Sequence, residues 1–172
     1  MYLTSDPLEL ATLVGQVQSA SRGAIACFLG TVRDHNGGRA VLQLDYSAYE
    51  PMAEAECARI QVEAERRWEC AVALQHRTGT VRVGEAAVVV AAASAHRDEA
   101  FAACRFVIEE IKRRVPIWKR EVFVDGTMEW VEGGSPGQMG SGLEGQQNSG
   151  TAGKLDGESS DLITGKSDAT RA

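Results

Sequence analysis

"IKRRVPIWKREVFVDGTMEWVE", residues 111–132, carries a helix end, a forced break and a hairpin in one short run. Lys112, Arg113, Arg114, Lys119 and Arg120 crowd around that break, in a chain whose net charge is −6. Pro116 has no N–H to donate and its ring collides with the preceding turn, so no helix continues through it. Beyond it, "REVFV" and "TMEWVE" are strand-like runs on either side of Asp125-Gly126, the dipeptide favoured in type I′ turns.

Upstream, "DEAFAACRFVIEEIKRR" reads as a helix, acidic in its first turn and basic in its last, matching the helix dipole. Phe101, Cys104, Ile108 and Ile111 mark its buried stripe. Before it come two strands, "AVALQHRTG" and "EAAVVVAAAS", joined by a turn around Gly79 to Gly84. Pro51 opens another helix, with Ala53, Cys57, Ile60, Ala64 and Trp68 at helical spacing. Further back, "GAIACFLGTV" reads as a buried strand. "VLQLDYSAY" alternates Leu42, Leu44, Tyr46 and Ala48 against polar neighbours, and "RDHNGGR" between them is a turn-rich loop. "DPLELATLVGQV" starts a leading helix in which Asp6 caps, Pro7 takes the first position and Glu9 completes a capping box. Its apolar face is Leu10, Leu13, Val14 and Val17. After that helix the order β-β-α-β-β-α-β-β predicts an α+β fold with mostly antiparallel pairing.

The composition changes after Glu132. Residues 133–172 hold ten of the eighteen glycines and no Phe, Trp or Tyr, so they cannot bury enough apolar surface to offset the entropy of ordering them. They read as a disordered Gly/Ser-rich tail behind a folded domain of residues 1–132. The tail has three basic and five acidic residues, which leaves −4 on the domain. An acidic domain disfavours general nucleic-acid binding, so the basic cluster has a local purpose. The longest apolar runs fall short of a membrane span, and the N-terminus lacks a basic n-region, so a cytoplasmic location is expected. Cys27, Cys57, Cys70 and Cys104 are scattered without a CxxC pair, and the three histidines lack i,i+4 pairing. Reduced structural cysteines, no metal site and no cofactor are expected.

Three stretches carry candidate chemistry. Lys112 lies at the border of the helix stripe, and the turn at Pro116 can bring Lys119 back towards it, with Ile117 and Trp118 as an apolar wall. Crowded amines beside apolar surface have lowered pKa values, which makes a lysine a nucleophile or a base. "SAHRDEA" sets His96 and Arg97 at a helix start, where free N–H groups favour anions. "GTVRDHN" ends a strand at Gly30 and projects Arg33 into a loop. Each has a plain alternative: a cation answering the helix dipole, a histidine bonded to a loop carbonyl, a solvated arginine. Together they would form a pocket for a phosphorylated small molecule.

In "GAIACFLGTVRDHNGG", "LDYSAYEPMAEAE", "HRTGTVRVGEAAVVVAAASAHRDEAF" and "IKRRVPIWKREVFVDGTMEWVE" the sequence resembles the large, catalytic subunit of the molybdopterin synthase family, over roughly residues 20–132. The resemblance implies an α/β-hammerhead fold and an enzyme of molybdenum cofactor biosynthesis. Such a sulfurtransferase converts cyclic pyranopterin monophosphate to molybdopterin. Two sulfurs arrive on the C-terminal thiocarboxylate of a small ubiquitin-like subunit, whose tail enters a pocket of a homodimeric large subunit; the whole is a heterotetramer. It implies substrate contacts at Thr31, Val32, Arg33, His96, Arg97, Lys112, Lys119, Arg120 and Glu121, and an aromatic, Phe28, beside the pocket. Lys112, Lys119 and His96 are the implied catalytic groups. The chain departs from the family pattern at Ile108, where Met is common. It departs again after Glu132, where an Arg is expected and Gly133 stands; either a neighbouring group such as Arg120 substitutes or substrate affinity suffers. A non-catalytic module docking a ubiquitin-like partner is the competing reading, and retention of both lysines favours the enzyme.

Overall fold

The computed structural model describes residues 1–132; the segment read as a disordered tail lies outside the described residues. The apolar run Ala86–Ser94 forms a strand, β7, buried on both faces, and the rest is arranged around it. The earlier elements are β1 (Leu3–Thr4), α1 (Leu10–Val17), β2 (Ala24–Thr31), β3 (His35–Asn36), β4 (Arg39–Ala48), α2 (Glu50–Trp68), β5 (Ala71–Arg77) and β6 (Gly79–Arg82). After β7 come α3 (Arg97–Arg114), β8 (Ile117–Phe123) and β9 (Met128–Val131). One sheet has the order β1-β5-β7-β2, antiparallel except for β1 beside β5. The second runs β3-β4-β8-β9, with β6 also on β4, and is antiparallel throughout. The architecture is the expected α+β type.

Alternation along β7 divides the core. Val88, Val90 and Ala92 face α2 and α3, against Cys57, Ile60, Val107 and Ile111. Val89, Ala91 and Ala93 face α1, against Leu13 and Val17. Small side chains on β7 bring the helices close to the sheet, and each fully buried Val or Ile contributes about 1.5–3 kcal/mol. The second sheet curls around its own core of Val32, Val41, Leu44, Val81 and Phe123.

Several local expectations are corrected. The first helix begins at Leu10 with Glu9 as a cap that makes no side-chain bond, so the Asp6–Glu9 capping box does not form. Strand β2 is an edge strand: only Ala26 is fully buried, while Ile25, Cys27 and Leu29 are exposed. The register of β4 slips between Val41 and Gln43, turning Leu42 outward and Val41 into the core. In α3 the stripe runs through Ala100, Ala103, Cys104, Val107, Ile108 and Ile111, and Phe101 is exposed. Phe101 is about 100° round the helix from Ala100, just past the buried face. The "RDHNGGR" loop contains a tight hairpin, β3 to β4, closed by Gly37-Gly38. The stretch after Gly79 is a strand that crosses to β4. The β8–β9 turn is not type I′. Gly126 N donates to Phe123 O and Phe123 N donates to Thr127 O, with Gly126 alone at positive φ. That is a three-residue loop ending in a left-handed glycine.

Candidate active site

Strand β2 pairs with β7 through a register shift between Gly30 and Thr31, and its pairing ends at Thr31 with Ala86. Past that shift successive side chains part ways. Thr31 and Arg33 line a cleft, whereas Val32 is buried in the core of the second sheet. Strand β8 supplies Ile117, Trp118, Lys119 and Glu121 to the cleft, and Arg120 donates instead to Asp45 at 3.0 Å. Helix α3 contributes Ile108, Ile111 and Lys112 from its last turns, and the chain then turns at Pro116. The space so enclosed measures about 460 Å³ and lies between the two sheets.

Within it, Lys119 Nζ stands 3.7 Å from Glu121 Oε1. Glu121 is 4% exposed, and its other oxygen accepts from Asn36 Nδ2 at 2.8 Å. A buried carboxylate held from both sides is a fixed negative point beneath the Lys119 ammonium. Lys112 Nζ lies 6.0 Å from the centroid of the Phe28 ring, at the outer limit of a cation–π contact. Arg33, Lys112 and Lys119 together outweigh Glu121, so the cleft favours an anionic guest.

The floor holds two residues that sequence reasoning left in the scaffold. Tyr46 sits opposite Lys119 in the β4–β8 register. Burial, with the Glu121 charge adding to it, pushes its phenol up to about 12, so it stays protonated. Its ring meets His76 edge-on, centroids 5.1 Å apart. Burial pulls the His76 pKa below its ordinary value and keeps the ring neutral. His76 Nδ1 is 2.8 Å from Arg77 O, and a carbonyl only accepts, so Nδ1 carries the proton. The available signal was a histidine close behind the apolar run Ala71 to Leu74, in "AVALQH".

The site residues expected from sequence therefore separate. Phe28, Thr31, Arg33, Lys112, Lys119 and Glu121 converge on the cleft. Val32 belongs to the core, and Arg120 lies on the outer face of β8, paired with Asp45 and 5.7 Å from the Trp130 ring centroid. Arg120 therefore does not stand in the cleft for the arginine expected after Glu132. His96 and Arg97 are exposed at the start of α3. Lys112 is sixteen positions beyond His96, about 24 Å along the axis, so one chain does not bring them together.

Fold and cleft define an α+β protein of hammerhead type with a cation-rimmed site between its sheets. A model of the MoaE protein family matches residues 3–114. The molybdopterin synthase catalytic subunit of Bacillus subtilis is 43% identical over 130 residues, 75% of this chain and 82% of its own length. The crystal structure of molybdopterin synthase from Staphylococcus aureus matches with a TM-score of 0.72 at 34% identity, covering 76% of this chain and 95% of that one. A chain of the complex of subunits 1 and 2 of molybdopterin-converting factor from Helicobacter pylori shares the fold at 19% identity, with a TM-score of 0.64. It covers 76% of this chain and 89% of that one. The chain belongs to the MoaE protein family.

Proposed function

We propose that this chain is the catalytic subunit of a molybdopterin synthase, a sulfurtransferase that turns cyclic pyranopterin monophosphate into molybdopterin. The observation that carries the reading is the convergence of Arg33, Lys112 and Lys119 from a strand end, a helix end and a second strand on one cleft. Its volume of about 460 Å³ suits a fused-ring phosphate ester. Arg33 and the two lysines neutralise the phosphate and the C-terminal thiocarboxylate of a small ubiquitin-like carrier. Lys112 and Lys119 supply acid–base or covalent chemistry as the cyclic phosphate opens. Glu121 and Asn36 hold the Lys119 end of the site in place.

A homodimer belongs to the same reading. A groove between β2 and α3 is lined by Cys27, Phe101 and Cys104 and shares Phe28, Ile108 and Lys112 with the cleft. Ile25 and Leu29 on the edge strand and Phe101 on the neighbouring helix are exposed apolar side chains. A second copy seated there would reach the mouth of the cleft, and its His96 and Arg97 would complete the anion site from outside. The small carrier would dock at each end of such a dimer, in keeping with a same-fold neighbour that is a two-subunit complex. No helix among the described residues is long and apolar enough to cross a membrane, and the expected setting is the cytoplasm.

The test mixes purified chain, a thiocarboxylated ubiquitin-like carrier and cyclic pyranopterin monophosphate, and measures dithiolene product. Formation of molybdopterin in stoichiometry with two spent carriers supports the reading; binding of the carrier without product makes the chain a docking module.

A further inference from the structure

The three cations that line the cleft, Arg33, Lys112 and Lys119, donate hydrogen bonds and have no acceptor. The acid among them is already engaged, one Glu121 oxygen facing Lys119 and the other Asn36. Cationic groups of this kind recognise a phosphate and leave the rest of a heterocycle unread. His76 lines the same cleft from the end of β5, 8% exposed. With Nδ1–H committed to Arg77 O, the atom this ring can offer a guest is the Nε2 lone pair. Tyr46 packs edge-on against the ring and fixes its plane.

We propose that His76 Nε2 is a substrate-binding acceptor that takes a hydrogen bond from a ring N–H of the heterocycle, so that the floor reads the pterin while the rim reads the phosphate. The inference rests on the function proposed above and assigns a subsite within it. Burial keeps the imidazole neutral, and the acceptor is therefore present at neutral pH. A buried acceptor left without its donor is costly, which makes such a contact selective for a ring that brings an N–H.

Two substitutions separate the two ring nitrogens. In His76→Asn the amide N–H can keep the bond to Arg77 O, but nothing reaches the Nε2 position. In His76→Gln the side-chain oxygen can occupy roughly the Nε2 position. Binding of cyclic pyranopterin monophosphate to the full chain is measured by calorimetry, with inorganic phosphate as the probe of the rim. His76→Asn should weaken the pterin about tenfold, equivalent to 1.4 kcal/mol. His76→Gln should weaken it by about threefold or less, and neither should alter competition by phosphate. Equal binding of the pterin by parent and His76→Asn overturns the proposal, as does equal weakening of pterin and phosphate, which would mark a purely structural histidine. Should both variants unfold, ¹⁵N-imidazole NMR of the parent decides: the His76 Nε2 resonance should move on saturation with the pterin and stay put with phosphate. A resonance unmoved by a pterin that does bind sinks this inference alone. A parent chain that binds no pterin sinks the proposed function and this subsite with it.

Discussion

Lys119 and Arg120 are sequence neighbours of the same charge with opposite surroundings. Strand geometry sends the first into the cleft, above Glu121, and the second to Asp45 on the outer face. Nothing in a run of basic letters distinguishes them until the strand's facing is known. Arg113 and Arg114 divide in the same way. Arg113 pairs with Glu110 on the surface, and Arg114 ties α3 to Glu56 and Glu63 of α2. Of the five cations that drew attention in the sequence, two serve the cleft. Lys119→Ala should lower turnover by about a hundredfold or more, the effect of losing a positioned acid–base group. Lys119→Arg should not restore it, because a guanidinium keeps its proton. Stability should fall by more than a surface substitution costs, since Lys119→Ala leaves the buried Glu121 carboxylate with Asn36 as its remaining side-chain partner. Arginine-supported turnover at the parent rate would reduce Lys119 to an anion-binding charge. His76 gives a separate signature. Its folded pKa lies below the unfolded value near 6.5, so acidification through that value protonates the unfolded chain first and favours unfolding. The melting temperature should fall between about pH 7 and pH 5 and do so less in His76→Gln. The carboxylates of Asp45, Glu56 and Glu110, all held below their ordinary range, act in a more acidic window, below about pH 4.5.

At the scale of the element, periodicity told most where a face is buried continuously. The four buried residues of α2 were legible at helical spacing because the whole face packs on one sheet. It failed where the chain changes partners. The bulge in β4 reverses which side of the strand is inside, a single-residue event that leaves the alternation of Leu42, Leu44 and Tyr46 looking intact. β6 is four residues long and exists because β4 offers it an edge, information absent from its own letters. His76 stayed hidden for a related reason: its role follows from β5 meeting β4 across the cleft, a contact of thirty positions in sequence. Gly30, by contrast, marks a close approach. A Cβ there would meet Val88 Cγ1 at 2.7 Å and Phe28 Cε1 at 3.2 Å, so the strand and the cleft's aromatic wall press on the same point. Gly30→Ala should cost about 1–3 kcal/mol through overpacking. It should also raise KM by displacing Phe28; unchanged urea midpoint and KM would mean that Val88 and Phe28 yield freely.

At the scale of the whole molecule, the proposed homodimer accounts for a residue that a single chain leaves far from the cleft. The family resemblance that implied a role for Lys119 implied one for Arg97 as well, yet α3 holds Arg97 at its far end, exposed and 4.0 Å from Asp98. Under the proposed homodimer each cleft draws Lys112 and Lys119 from one protomer and His96 and Arg97 from its partner. Lys119→Ala and Arg97→Ala chains should then each be nearly inactive alone, yet recover activity when unfolded together and co-refolded. Random pairing about a two-fold axis makes half the dimers mixed, and each mixed dimer holds one intact site, so about a quarter of parental activity should return. Leu29→Glu, which places a charge on the exposed apolar face of β2, should yield a monomer by sedimentation with low turnover. Absence of recovery from a mixture shown by mass spectrometry to contain mixed dimers would mean that Arg97 takes no part across the interface. The anion site would then consist of Arg33 and the two lysines alone, and Arg97→Ala by itself should leave KM within about twofold of the parent, as for a surface substitution.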